Sequence, residues 1–202
     1  SFAIVETTTE NHQSIIYRHK AADLFLNKQD IDFAKIHNYQ CILITGTALA
    51  SEPSRSAILY ALEIAKKNNI PIIMDIDYRP YTWETQNKAK EIYNMAIEHC
   101  AGVIGNDEEF AILAGNYSEG LNYAKKISSN CELVIYKKGE NGSVTFAEGN
   151  AIKKGIFPVI PLKPTGAGDA FMGSLLGALL KNYNLEDAIE IGSAAAAIVV
   201  TK

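Results

Sequence analysis

The apolar positions fall into two rhythms that take turns along most of the chain. Cys41–Gly46, Ile70–Asp77, Gly102–Gly105 and Glu132–Tyr136 are short apolar runs bounded by Gly, Asp or Asn, the pattern of fully buried strands. Between them, Pro53–Asn68 places Ala57, Ile58, Ala61, Leu62 and Ala65 at helical spacing, with Ser51 and Pro53 as its start signal, and Thr85–His99, Asp107–Ala114 and Glu119–Ser129 read as further helices. Strands alternating with helices predict parallel β-α-β units and a doubly wound, mostly parallel α/β sheet. Two flanking segments differ. Ser1–Glu6 and Gln13–Arg18 predict a hairpin around the polar turn Thr7–His12. Ser143–Glu148 and Ala151–Phe157 predict two more strands around Gly149-Asn150, followed by helices Gly168–Leu180 and Leu185–Val200. Both of those helices are apolar nearly all round, which predicts burial against the sheet, with Gly173 and Gly177 allowing close backbone approach. No repeat or linker divides the chain. The simplest organisation is residues 1–22 as a small β appendage on an α/β core at 23–202.

Composition narrows the field. With 48% hydrophobic and 21% charged residues over 202 positions, the chain is an ordinary globular one. Nineteen Lys plus Arg against 23 Asp plus Glu give a net charge of −4, without the basic field of a nucleic-acid binder; a small anion held by local groups stays open. Cys41, Cys100 and Cys131 are odd in number and widely spaced, with no metal-ligand pattern, which fits a reducing, cytoplasmic compartment. The apolar stretches Ala170–Leu180 and Ile191–Val200 fall short of the ~20 residues of a bilayer span, so no membrane partner is expected. His12, His19, His37 and His99 form no constellation. The start at Ser1, without an initiator Met and inside a strand-like run, suggests a chain incomplete at both ends.

Chemistry concentrates in two stretches. In Lys163-Pro-Thr-Gly-Ala-Gly-Asp-Ala-Phe171, Gly166 and Gly168 free the backbone to turn into a helix whose first N–H groups can converge on one anion. An Asp beside bound phosphate is placed like a general base for a neighbouring hydroxyl, so Asp169 is the candidate base; helix capping is the alternative. In Asp75-Ile-Asp-Tyr-Arg-Pro-Tyr-Thr-Trp83, two acids, an arginine and three aromatics sit where an open α/β sheet places its ligand crevice. Arg79 is the candidate contact to a carboxylate or phosphate, with an ion pair to Asp75 or Asp77 as the alternative. Asn106 and Glu109, spaced i and i+3, share a helix face and could hold a hydrated cation, or could simply cap the helix.

Taken together, these motifs resemble the ribokinase-like, or PfkB, family of sugar kinases. Thr-Gly-Ala-Gly-Asp-Ala-Phe171 is similar to its C-terminal signature, Asn106-Asp-Glu-Glu109 to its N-x-x-E element, Lys138-Gly139-Glu-Asn-Gly142 to its K-G-x-x-G stretch, and Gly192–Lys202 to the helix passing its adenine pocket. The resemblance implies an ATP-dependent kinase with a β lid formed by the N-terminal hairpin. It implies Asp169 as catalytic base, the N–H groups of Gly166, Ala167 and Gly168 as the anion hole, and Mg²⁺ held through water near Asn106 and Glu109. Lys138, Gly139, Gly142, Thr165 and Ser193 would line the nucleotide.

The D-I-D-Y-R-P-Y-x-W stretch resembles the branch acting on keto-deoxy sugar acids such as 5-dehydro-2-deoxygluconate, and Tyr17-Arg18 resembles that branch's substrate-holding Y-R. Arg18, Asp75, Asp77 and Arg79 are then the substrate contacts, with Gly46-Thr-Ala-Leu-Ala50 as a crevice loop. A 2-dehydro-3-deoxygluconate kinase would share Arg18, Arg79 and Asp169. Pairing through the lid is a further implication. Lys163-Pro164 replaces the Asp-Thr that begins the signature in many members, which leaves monovalent-cation dependence open. Two other classes fit the residues less well: a nucleotide-binding module without turnover has no need of a base, and a dinucleotide-binding dehydrogenase would carry a G-x-G-x-x-G that is absent here.

Overall fold

The computed structural model describes residues 2–5, 14–18, 20–163 and 165–202. The Thr7–His12 turn, His19 and Pro164 lie outside the described residues. Two compact units divide the chain: Lys20–Gly139 with Ser143–Ala151, and Ser1–His19 with Glu140–Gly142 and Ile152–Lys202.

The larger unit is built on parallel strands β3 (Ile42–Thr45), β4 (Ile72–Asp75), β5 (Gly102–Asn106) and β6 (Leu133–Lys137), which lie side by side in sequence order. β7 (Ser143–Ala147) pairs antiparallel with β6, and β8 (Asn150–Lys154) follows it at the edge, closing a six-stranded, mostly parallel sheet. Helices α2 (Ser54–Lys67), α3 (Gln86–Ile97), α4 (Asp107–Ala114) and α5 (Gly120–Ile127) supply the crossovers. Their apolar stripes cover one face: Ile58 and Leu62 of α2, Ile92 and Tyr93 of α3, and Phe110 and Leu113 of α4 form one core with Ile72, Met74, Val103 and Val134. On the opposite face Ile73, Ile104 and Ile135 are buried too, which is why these strands read as unbroken apolar runs. Cys100 and Cys131 are free thiols inside the core.

The expected elements recur with shifted ends. β4 stops at Asp75, short of the expected Asp77, because Asp77 adopts a left-handed backbone (φ 38°) that no ladder accommodates. β8 ends at Lys154, before Gly155. Pro53 does precede α2, but the Ser51 hydroxyl finds no hydrogen-bond partner among the described residues; Ser54 and Arg55 instead donate back to the carbonyls of Ala48, Leu49 and Ala50 at 2.6–2.8 Å, tying the preceding loop to the helix. Helix α1 (Lys28–Ala34) has no counterpart among the expected elements. Its start is fixed by a reciprocal capping box in which Asn27 accepts from Gln29 N and Asp30 N while Asp30 accepts from Asn27 N.

In the smaller unit, β1 (Phe2–Val5) and β2 (Ser14–Tyr17) form the expected antiparallel pair, from Phe2 opposite Tyr17 to Val5 opposite Ser14. Helices α6 (Ala167–Leu180) and α7 (Leu185–Val200) pack on each other. Burial all round is not what they show. Phe171, Met172, Leu175 and Ala178 of α6 and Ala188, Ile189 and Gly192 of α7 are buried, while Leu180, Ile191 and Ile198 are exposed. The expectation for Gly173 and Gly177 also fails, since a Cβ on either meets nothing within 4 Å among the described residues. Close approach occurs at Gly192, where a Cβ would lie 3.0 Å from both the ring and the carbonyl of Phe171. No helix among the described residues is long and apolar enough to cross a membrane.

Candidate functional site

The parallel strands end on polar groups. β3 closes on Thr45, β4 on Asp75, β5 on Asn106 and β6 on Lys137, with Thr45 opposite Asp75 and Asn106 opposite Lys137 in the ladders. Ligands of open α/β sheets bind outside these carboxyl ends. Just beyond β4, Asp77 accepts the Thr47 hydroxyl at 2.9 Å on Oδ2 and pairs with Arg79 Nη2 at 2.7 Å through Oδ1. Arg79 is therefore in the ion pair weighed as its alternative, and its side chain is nevertheless 45% exposed. Among the three aromatics of this stretch, Trp83 belongs to the core, edge-on to Tyr93 at 5.1 Å, Tyr78 is half-buried beside it, and Tyr81 is exposed. Asp75 is half-buried at its strand end.

Asn106 and Glu109 close a capping box at the start of α4. Asn106 Oδ1 accepts from Glu109 N at 2.8 Å, and Glu109 Oε2 accepts from Asn106 N at 2.7 Å. Capping is thus realised, but the acidic turn is not solvated at Glu109, which is 8% exposed. Its second oxygen accepts from Tyr78 N at 3.2 Å, joining the start of α4 to the corner after β4. Burial pushes the Glu109 carboxyl above its ordinary range; the bond from Asn106 N and the Lys137 charge act against that, and the Asp75 and Asp77 charges add to it. Gly105 is needed beside it, since a Cβ there would lie 2.5 Å from Ile76 Cδ1 and 3.2 Å from Glu109 Oε2.

This donor set bears on the divalent cation that the resemblance implies. Among the described residues no three His, Cys, Asp or Glu side chains come together as a metal cage. Asn106 Oδ1 and the Glu109 carboxylate are hard oxygen donors with lone pairs beyond those the N–H groups use, which fits a water-shelled Mg²⁺ completed by phosphates and not a direct all-protein site.

In the smaller unit, Gly166 precedes α6 with φ 88°, a conformation for glycine, and turns Ala167 and Gly168 into the first helical turn, where N–H groups have no intrahelical acceptor. Asp169 is in that turn, exposed, and among the described residues nothing hydrogen-bonds or ion-pairs with its carboxylate, so it is not acting as a cap. Thr165 is exposed just ahead of it and Arg18 is half-buried after β2. Ser193 spends its hydroxyl on Ile189 O at 2.9 Å within α7. In the K-G-x-x-G stretch, Lys138 is half-buried and Gly139 (φ 54°) faces open space. Gly142 (φ 76°) is jammed instead, since a Cβ would lie 2.1 Å from Lys154 O.

Thr47 and the Tyr78 N–H are the participants that the residue pattern missed. Thr47 lies within the expected crevice loop, but a pairing across 30 residues leaves no local spacing signal.

A mostly parallel sheet whose strands end on polar groups defines an open-sheet α/β protein. Its family follows from sequence: the pfkB family carbohydrate kinase model matches residues 1–202, and the chain belongs to that family. The 5-dehydro-2-deoxygluconokinase of Photobacterium profundum is 40% identical over 100% of the chain, which spans 62% of that relative's length. Among solved structures, a PfkB protein from a Polaromonas species superposes with TM-score 0.84 at 22% identity, over 99% of this chain and 66% of that one. A fructokinase from Vibrio cholerae, solved with fructose, ADP and calcium ion, superposes with TM-score 0.79 at 26% identity, over 90% of this chain and 60% of that one.

Proposed function

We propose that the protein containing this chain is an ATP-dependent kinase that phosphorylates a terminal hydroxyl of 5-dehydro-2-deoxygluconate, a step of inositol breakdown. The observation that carries the chemistry is the Asp169 carboxylate, unengaged among the described residues, in the first turn of α6, three residues after the left-handed Gly166. In this reading Asp169 takes the proton of the sugar hydroxyl as its oxygen forms the new bond to the γ-phosphorus, the bond to the ADP oxygen breaks, and ADP leaves. The N–H groups of Gly166, Ala167 and Gly168 stabilise the charge on the transferring phosphoryl. Mg²⁺, when bound with ATP, neutralises the phosphates, and Asn106 and Glu109 would hold its water shell.

The substrate reading rests on Arg79, whose planar fork suits a carboxylate, and on the name carried by the Photobacterium relative. Arg18 is the second substrate cation in this reading, and the β1–β2 hairpin is a lid through which two copies pair. Coupled assays of the full-length protein with 5-dehydro-2-deoxygluconate, 2-dehydro-3-deoxygluconate, ribose and fructose test it. The highest kcat/KM is expected for the first. A preference for the second would reassign the substrate within the sugar acids, and turnover of ribose alone would refute the sugar-acid reading.

A further inference from the structure

Asp77 is a non-glycine residue held at φ 38°, a left-handed conformation that persists only where the surroundings over-determine it. They do so here. Ile76 N donates to Ile104 O at 2.9 Å on one side of the corner, Tyr78 N donates to Glu109 Oε1 at 3.2 Å on the other, and the Asp77 carboxylate is gripped at both oxygens. The grip continues back into the loop after β3, where Thr47 Oγ1 lies 3.1 Å from Thr45 Oγ1. Arg79 is engaged only through Nη2 among the described residues, so most of its five N–H donors are unspent there on a side chain that is 45% exposed.

We propose that Asp77 is a positioning residue for anion recognition: anchored by Thr47, it takes one arm of Arg79 and presents the remaining edge of the guanidinium to the substrate's carboxylate. An arginine left alone at a corner would spend side-chain entropy when the substrate arrives; one already held loses less for each bond it forms. The strain at Asp77 is then the cost of placing its carboxylate between Thr47 and Arg79. This inference rests on the reading of Arg79 as the sugar-acid contact, and the test separates the two.

The test is steady-state kinetics of the full-length enzyme as wild type, Asp77→Asn, Arg79→Met and the double variant. Asn tolerates positive φ and still accepts from Thr47, but loses the charge that holds Arg79. Asp77→Asn is expected to raise KM for the sugar acid about tenfold, the size of one charge-assisted bond, with kcat and KM for ATP within about twofold. In the Arg79→Met background the same change should add nothing, because there is no guanidinium left to place. If Arg79→Met leaves KM for the sugar acid unchanged, the reading of Arg79 falls and this inference with it. If Arg79→Met raises that KM but Asp77→Asn does not, or does so equally with and without Arg79, only the positioning role is overturned. Should Asp77→Asn not fold, as judged by circular dichroism, Thr47→Val carries the test. It keeps the ion pair but frees the carboxylate to swing, and it should raise KM for the sugar acid severalfold only when Arg79 is present; no rise overturns the proposal.

Discussion

Replacing Glu109 by alanine removes a carboxylate that caps Asn106 N at 2.7 Å and Tyr78 N at 3.2 Å from a position only 8% exposed. Each buried N–H left without an acceptor costs ~1–3 kcal/mol, and the one lost methylene about 0.8 kcal/mol. Against this stands the relief of no longer burying a carboxylate whose pKa burial has already raised. The balance is a loss of about 3 kcal/mol, which lowers Tm by roughly 6–12 °C in a chain of this size. Glu109→Gln keeps one good acceptor but turns an NH₂ toward the other donor, so about half that loss is expected. The pH dependence adds a sign. Because the folded-state pKa lies above the ordinary 4.5, the folded state binds more protons than the unfolded one between the two values, and Glu109's contribution to stability falls as pH rises through that window. Above it the contribution is flat. Thermal melts of wild type and Glu109→Gln from pH 4 to 7 should show this downward component in the wild type alone. A Glu109→Ala protein melting within about 1 °C of wild type would refute the network, and identical pH profiles would refute the raised pKa.

The remaining predictions concern three other places. Asp169→Asn in the full-length enzyme should cost ~10²–10⁴ in kcat while ADP affinity, measured by calorimetry, stays within about twofold; undiminished turnover would exclude Asp169 as base. Gly46→Ala would set a Cβ 2.0 Å from Ile76 O and 2.7 Å from the Tyr93 ring, and should destabilise by about 3 kcal/mol in chemical denaturation, at the upper end for overpacking; a neutral change would disprove the close approach. Burial raises the thiol pKa of Cys100 to about 12 and also raises that of Cys131, so both should resist alkylation at pH 8 until the protein is unfolded, and rapid modification of the native protein would contradict their placement.

The strands and crossover helices could be read from the residues because each satisfies one period throughout. β5 and β6 are apolar at nearly every position since both their faces are buried, and α2 repeats its stripe from Ala57 to Ala65. Helix α1 was hidden because its seven residues bury only Ile31 and give no stripe to detect; its evidence was the Asn27–Asp30 box. The Gly173 and Gly177 expectation failed for a different reason. A glycine's presence signals that close approach is permitted, while which glycine is used depends on how the helices cross, and here the crossing falls on Gly192. At the site, composition flagged Asp75–Trp83 as a functional stretch, yet Trp83 serves the core, and the Thr47–Asp77 bond that organises the corner spans 30 residues.

The N-x-x-E spacing shows why a motif and a cap need not compete. Any Asn and Glu at i and i+3 before a helix can close a capping box, so spacing alone cannot separate a structural role from a chemical one. Burial and the third bond can. A cap that served only α4 would need no contact outside its own turn, whereas Glu109 also accepts from Tyr78 N, one residue from Asp77 and one from Arg79. The same carboxylate therefore fixes the start of the helix and the corner carrying the proposed substrate contact. Its pKa is raised first by burial away from water, with the Asp75 and Asp77 charges adding to that.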